Sequence, residues 1–137
     1  MKRVLFDTNV ILDVLLDRKP YVEASAAAWE AVETRAVEGL LAAHAITAIH
    51  YLVRKGTGAA KTRRIVPAIL RVFGVAAVDG AVIQEALQLS CGDFEDAVTA
   101  AAARCAECEF IVTRDPKGFR GSPVRCLTPE AIILRKD

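Results

Sequence analysis

The stretch Val4-Leu5-Phe6-Asp7-Thr8-Asn9-Val10-Ile11-Leu12 changes character at Asp7. Before it stand three consecutive apolar residues with no polar alternation, the pattern of a strand buried on both faces. After it come Thr8 and Asn9, then Ile11, Leu12, Leu15 and Leu16 at helical spacing. A helix is therefore expected from near Asn9, and it should stop before Pro20, because the residue preceding a proline is driven out of the helical region. The chain thus opens with a buried strand handing over to a helix, with an acid at the junction.

The alternation continues to the end of the sequence. Helices are expected over 22–37, around 46–56, over 59–73 with Pro67 as a site of bending, around 82–89, and over 93–107. Short strands are expected at 39–43, 75–78, 110–113 and 124–127, and Thr128-Pro129 opens a terminal helix with proline at its first position. Strands separated by helices predict an α/β fold, a parallel sheet of about five strands covered on both faces. With 137 residues and no linker or repeat, residues 1–137 read as one domain.

Composition narrows the function. The chain is 53% hydrophobic, ample for a core, yet no apolar run approaches the roughly 18 residues that a membrane span requires. Met1-Lys2-Arg3 resembles the start of a signal peptide, but Asp7, Asn9 and Asp13 interrupt the apolar stretch behind it, so a cytoplasmic protein without membrane association is expected. Net charge is only +1. The distribution is uneven, however: residues 39–78 contain no acid and carry Arg54, Lys55, Lys61, Arg63, Arg64 and Arg71. Such a block can steer a polyanion, with Arg54, Lys61 and Arg64 as candidate RNA contacts; it equally suits a solvated helix surface or an acidic protein partner. Cys91, Cys105, Cys108 and Cys126 form no second close pair, and His44 and His50 are the only histidines, so small buried thiols account for the cysteines better than a zinc site. His50 reads as a surface or core residue rather than a catalyst.

The acids carry the chemistry. In a parallel sheet ligands bind beyond the carboxyl ends of the strands. Asp7 ends the first strand, Asp115 lies just past the fourth, and Asp96 lies in the first turn of a helix whose N-terminus faces that same edge. Convergent carboxylates repel one another unless a cation sits among them, and oxygen-only ligands suit Mg²⁺ or Mn²⁺. Such a site can hydrolyse a phosphodiester without a side-chain nucleophile. Each acid also has a purely structural account. Asp7 can cap the first helix, Asp93 is most simply the N-cap of the helix carrying Asp96, and Asp115-Pro116 can be a turn. The alanines at 97, 100, 101, 102, 103 and 106 are a packing signal: they allow that helix to lie close to the sheet and bring Asp96 toward Asp7.

Phe6-Asp7-Thr8-Asn9-Val10 resembles the opening of the PIN domain family. Glu95-Asp96-Ala97-Val98 is similar to its third acidic motif and Ile111-Val112-Thr113-Arg114-Asp115 to its fourth. Asp93 to Ala97 and Leu127-Thr128-Pro129-Glu130 resemble the bacterial branch related to VapC-type toxins. The resemblance implies a three-layer sandwich around a five-stranded parallel sheet and a Mg²⁺- or Mn²⁺-dependent endoribonuclease. It also implies a toxin paired with an antitoxin protein that covers the site, and a homodimer. It assigns Asp7, Asp96 and Asp115 to the acidic, metal-holding positions and Asn9 and Thr113 to supporting ones. One departure stands out: the family often places a further acid early in the helix after the second strand, where this chain has Ala48, leaving Asp93 or Glu95 as substitutes in space. A scaffold of weak or no activity that binds RNA or a protein partner is the competing reading. An aspartyl-phosphate enzyme is disfavoured by Asn at position 9 and by the lack of a Gly-rich phosphate loop.

Overall fold

A computed structural model describes residues 1–133; the last four residues, assigned to the same domain on sequence, lie outside the described residues. Five strands form one parallel sheet: β1 (Lys2–Phe6), β2 (Val37–Ala42), β3 (Gly74–Ala76), β4 (Phe110–Val112) and β5 (Arg125–Leu127), in the spatial order β3-β2-β1-β4-β5. Among the described residues seven α-helices connect and cover them: α1 (Thr8–Leu15), α2 (Val22–Glu33), α3 (Ala43–Thr57), α4 (Ala59–Val72), α5 (Gly80–Ala86), α6 (Phe94–Cys105) and α7 (Pro129–Ile133). The α/β class and the five-stranded parallel sheet expected from the alternation are what the structure has.

The sheet separates two apolar layers, which is why its strands lack polar alternation. Val4 and Phe6 of β1 face a layer built with α1–α4 and α7, where Phe73 meets Phe6 and Trp29 edge to face at 5.1 Å each. Leu5 faces the other way, with Ile111, into a layer closed by α5 and α6. There the alanines of α6 at 97 and 100–103 are buried almost completely. Small side chains let that helix approach the sheet, as the sequence implied.

Several boundaries differ from the sequence reading, each for a local reason. The second helix, expected to reach Val37, ends at Glu33: Arg35 takes a left-handed conformation (φ 62°), and Val37 is already the first residue of β2. The helix expected to reach Glu107 ends at Cys105, with Glu107 left-handed at φ 59°. Cys108 is therefore a buried residue beyond the helix, whereas Cys105 is exposed and its thiol donates to Glu85, contrary to the expectation of uniformly buried thiols. The expected helix through Pro67 is continuous in α4. Proline costs a helix one backbone donor, and this helix absorbs it on an exposed position.

Candidate functional site

Strand β1 ends at Phe6, and Asp7 is the next residue, held in extended conformation as the N-cap of α1. Its Oδ1 accepts the Thr8 amide at 2.9 Å and its Oδ2 accepts the Thr113 hydroxyl at 2.9 Å. Asp7 thus caps α1 and also lines the cleft at the sheet edge. Thr113, wholly buried just past β4, also accepts the Asp115 amide on its hydroxyl at 3.1 Å. One threonine ties the carboxylate after β1 to the turn after β4.

Asp93 caps α6 by accepting the Asp96 amide at 2.8 Å, which places Glu95 and Asp96 in the first turn of that helix, at the carboxyl edge of the sheet. Asp7, Asn9, Asp93, Glu95, Asp96 and Asp115 all line one cleft of about 350 Å³, together with His44, Ala48 and Leu52 of α3. The structure therefore brings together Asp7, Asp96 and Asp115, the three acids singled out from strand ends, and with them Asn9 and Asp93. Thr113 stands behind them. The tightest group is Asp7, Glu95 and Asp96, each offering a carboxylate oxygen within 4.8 Å of the others.

Gly118 explains how Asp96 and Asp115 share space. It lies in a 3-10 turn, Pro116–Phe119, and a Cβ there would come 2.8 Å from Asp96 Oδ2 and 3.5 Å from Asp115 Oδ2. Asn9 accepts Arg18 at 3.3 Å, and Arg18 lies 3.9 Å from Asp13. Asp13, fully buried, accepts Arg114 Nε at 2.9 Å and the Ser25 hydroxyl at 3.2 Å. Arg114 also stacks over the Tyr21 ring. This pairing holds the residue before Asp115 against α1.

The electrostatics of the cleft are those of acids short of positive charge. Burial pushes the Asp7 carboxyl up to about 6, against the pull of the Thr113 hydrogen bond. Burial, then the charges of Asp93, Asp7 and Glu95, push Asp96 up to about 7. Glu95 moves the other way, held below its ordinary value chiefly by a hydrogen bond from His44. The donor set fits a hard divalent cation: carboxylate oxygens only, clustered closely, two of them resisting ionisation in the absence of a counter-charge.

Sequence reasoning left His44 out of the site and held Glu95 only as a substitute in space. Both stand in the first turn of helices that begin at the carboxyl edge of the sheet, and that position was the available signal. The candidate RNA contacts line two grooves. Arg54 lines a groove with His50, Ala59, Thr62 and Arg63, while Lys61 and Arg64 line another with Ala60 and Ile65. One turn of helix separates 61 from 64, and residue 63 faces α3 instead.

The sequence model of the PIN domain matches residues 3–117. The chain belongs to the PIN domain family. Among solved structures this PIN domain is similar to FitAB bound to a DNA fragment, at 23% identity and a TM-score of 0.71, over 93% of this chain and 95% of that one. A toxin–antitoxin complex from Klebsiella pneumoniae is similar at 20% identity and a TM-score of 0.69, over 92% and 97%. DNA-bound VapBC from Salmonella typhimurium is similar at 16% identity and a TM-score of 0.72, over 94% and 99%. These likenesses are of fold. No curated protein matches the chain. No helix among the described residues is long and apolar enough to cross a membrane.

Proposed function

We propose that this PIN domain is a Mg²⁺- or Mn²⁺-dependent endoribonuclease and the toxin half of a toxin–antitoxin pair. The observation that carries the reading is the carboxylate cluster of Asp7, Glu95 and Asp96 in a cleft at the carboxyl edge of a parallel sheet. Asp7, Glu95 and Asp96 would hold the cation, with Asp115 across the Gly118 turn from Asp96. The chemistry such a cation supplies when bound is activation of water and stabilisation of charge on a phosphodiester. The chain's own residues fix the acids. Thr113 and the Thr8 amide immobilise Asp7, Asp93 caps the helix that presents Glu95 and Asp96, and the Arg114–Asp13 pair anchors the turn that carries Asp115.

Two of the solved structures similar in fold are toxin–antitoxin or VapBC assemblies, which supports an antitoxin protein as partner. A homodimer, a cytoplasmic location and a single domain over 1–137 complete the proposal. A second reading, a weakly active scaffold for RNA or protein, draws on Ala48, which lines the cleft but contributes no ligand.

RNA cleavage separates the two readings. Purified protein is incubated with a mixed RNA pool, with and without Mn²⁺, beside Asp96→Asn. Cleavage that requires metal and falls at least a hundredfold in the variant is expected. Metal-dependent cleavage that survives Asp96→Asn unchanged would come from a contaminant, and absence of cleavage with retained RNA binding would favour the scaffold.

A further inference from the structure

Helix α3 carries His44 and Ala48 one turn apart, so the two share a face, and both line the acidic cleft. Ala48 offers nothing to a cation. His44 does something else: its Nε2 lies 3.3 Å from Glu95 Oε1 and 3.4 Å from the Thr99 hydroxyl. The direction of these contacts follows from the partners. A carboxylate oxygen has no proton to give, and the Thr99 hydroxyl donates to the Glu95 carbonyl at 3.0 Å. Nε2 is therefore the donor. Nδ1 is buried and has no hydrogen-bond partner, so a proton there would be an unsatisfied donor out of water; the ring's proton belongs on Nε2.

We propose that His44 is the positioning residue of the cation site: it holds Glu95 in the ligand-ready rotamer and so replaces, with a donor on α3, the carboxylate that Ala48 does not supply. The proposal rests on the metal-binding reading given under the proposed function. Glu95 has three rotatable bonds and is about half exposed on its side chain, so left alone it would sample many rotamers. Its neighbours Asp7 and Asp96 repel it from the cluster when ionised. A hydrogen bond from behind, on Oε1, fixes the carboxylate within reach of the other two. Thr99, 2% exposed, stands beside the same contact on α6, its hydroxyl oxygen 3.4 Å from the donating Nε2. Two helices from opposite sides of the sheet are thereby joined across the cleft mouth by a side-chain bond whose function is to orient a ligand.

The test measures Mn²⁺ affinity by the paramagnetic resonance signal of free Mn²⁺, on the full chain, with no RNA present. Wild type is compared with His44→Ala, His44→Gln, Glu95→Gln and the double variant His44→Ala/Glu95→Gln. Supporting groups behind metal ligands typically contribute roughly 10- to 100-fold in affinity. His44→Ala should therefore weaken Mn²⁺ binding about tenfold or more, whereas His44→Gln, which keeps an amide donor near the Nε2 position, should stay within about threefold of wild type. In the Glu95→Gln background His44→Ala should change affinity less than about twofold, because the group it orients is no longer a ligand. A His44→Ala protein that binds Mn²⁺ like wild type overturns the proposal, and so does an equal loss with and without Glu95. Should His44→Ala fail to fold, His44→Asn replaces it: the shorter side chain cannot reach Glu95, and an affinity equal to that of His44→Gln overturns the proposal. A wild-type protein that binds no Mn²⁺ overturns the metal-binding reading itself, an outcome distinct from those in which wild type binds and the His44 variants fail to differ.

Discussion

Asp7 caps α1 with one carboxylate oxygen, accepts the Thr113 hydroxyl with the other, and still faces Glu95 and Asp96. Only 7% exposed, it is a charge that the fold holds at a loss when no cation balances it. The consequence for stability has a definite sign. An acid whose folded value is raised binds its proton more tightly in the native state, so the native state gains as pH falls through the folded value. That gain is complete only below the unfolded value. For Asp7 the window runs from about 6 down to 3.8, and for Asp96 from about 7 down to 3.8. Glu95, whose value is lowered, works oppositely and only below its ordinary 4.5. Metal-free protein should therefore melt at a higher temperature at about pH 5 than at about pH 7.5. The rise of Asp7 from 3.8 to about 6 bounds its share at roughly 3 kcal/mol. Asp7→Asn should flatten the profile between those pH values and raise the melting temperature at the upper one. A calorimetric series in chelator checks this, and a wild-type melting temperature that falls steadily on acidification over that range contradicts it.

At the scale of elements, the acids placed at helix and strand ends were legible in the sequence. Asp7, Asp93, Asp96 and Asp115 sit at such ends, and periodicity alone places ends on one edge of a parallel sheet. The alanine run of α6 was legible too, because small residues on one helix have a single packing meaning. Side-chain partnerships across elements were not. The start of α3 marks His44 as a residue of the cleft edge, but does not announce that it reaches Glu95, far along the chain on another helix. Nothing in Arg54, Lys61 and Arg64 shows that the first lines one groove and the other two another. Boundaries slipped where one residue took a left-handed conformation, as at Arg35 and Glu107, since neither is a residue type that advertises it. The turn carrying Gly118 offers a test at this scale. A methyl group there meets the tip of Asp96 rather than backbone, so Gly118→Ala should fold, within about 1 kcal/mol of wild type. It should nonetheless displace the Asp96 carboxylate and weaken Mn²⁺ binding severalfold. Chemical denaturation and metal titration on the same preparation distinguish this from a simple loss of fold; unchanged metal affinity would show that Asp96 has room to spare.

The whole molecule places the cleft where chain topology reverses. From β1 the chain adds β2 and then β3 on one side, then crosses to add β4 and β5 on the other, so the crevice between the ends of β1 and β4 lies at the switch point. Asp7 and Thr113, the residues next after those two strands, occupy it. Helix α3 forms one wall through His44, Ala48 and Leu52, and with α4 it carries the acid-free basic segment on a different side through His50, Arg54 and Arg63. An acidic cleft repels a phosphate backbone, so a polyanion that reaches it needs cations nearby to hold the flanking phosphates. The groove of Arg54 and Arg63 shares helix α3 with the cleft wall, whereas the groove of Lys61 and Arg64 is lined by α4 residues. Replacing Arg54 and Arg63 together with alanine should therefore weaken single-stranded RNA binding more than replacing Lys61 and Arg64. The slope of log affinity against log salt should flatten by about 0.7 for each phosphate that is no longer neutralised. The difference between the pairs should shrink as salt is raised, since both act through counterion release. Fluorescence anisotropy with labelled RNA over a salt series reads all three quantities. Equal losses for the two pairs would mean that the basic segment acts as a diffuse field, and a larger loss for Lys61 and Arg64 would put the RNA path on the far face of α4.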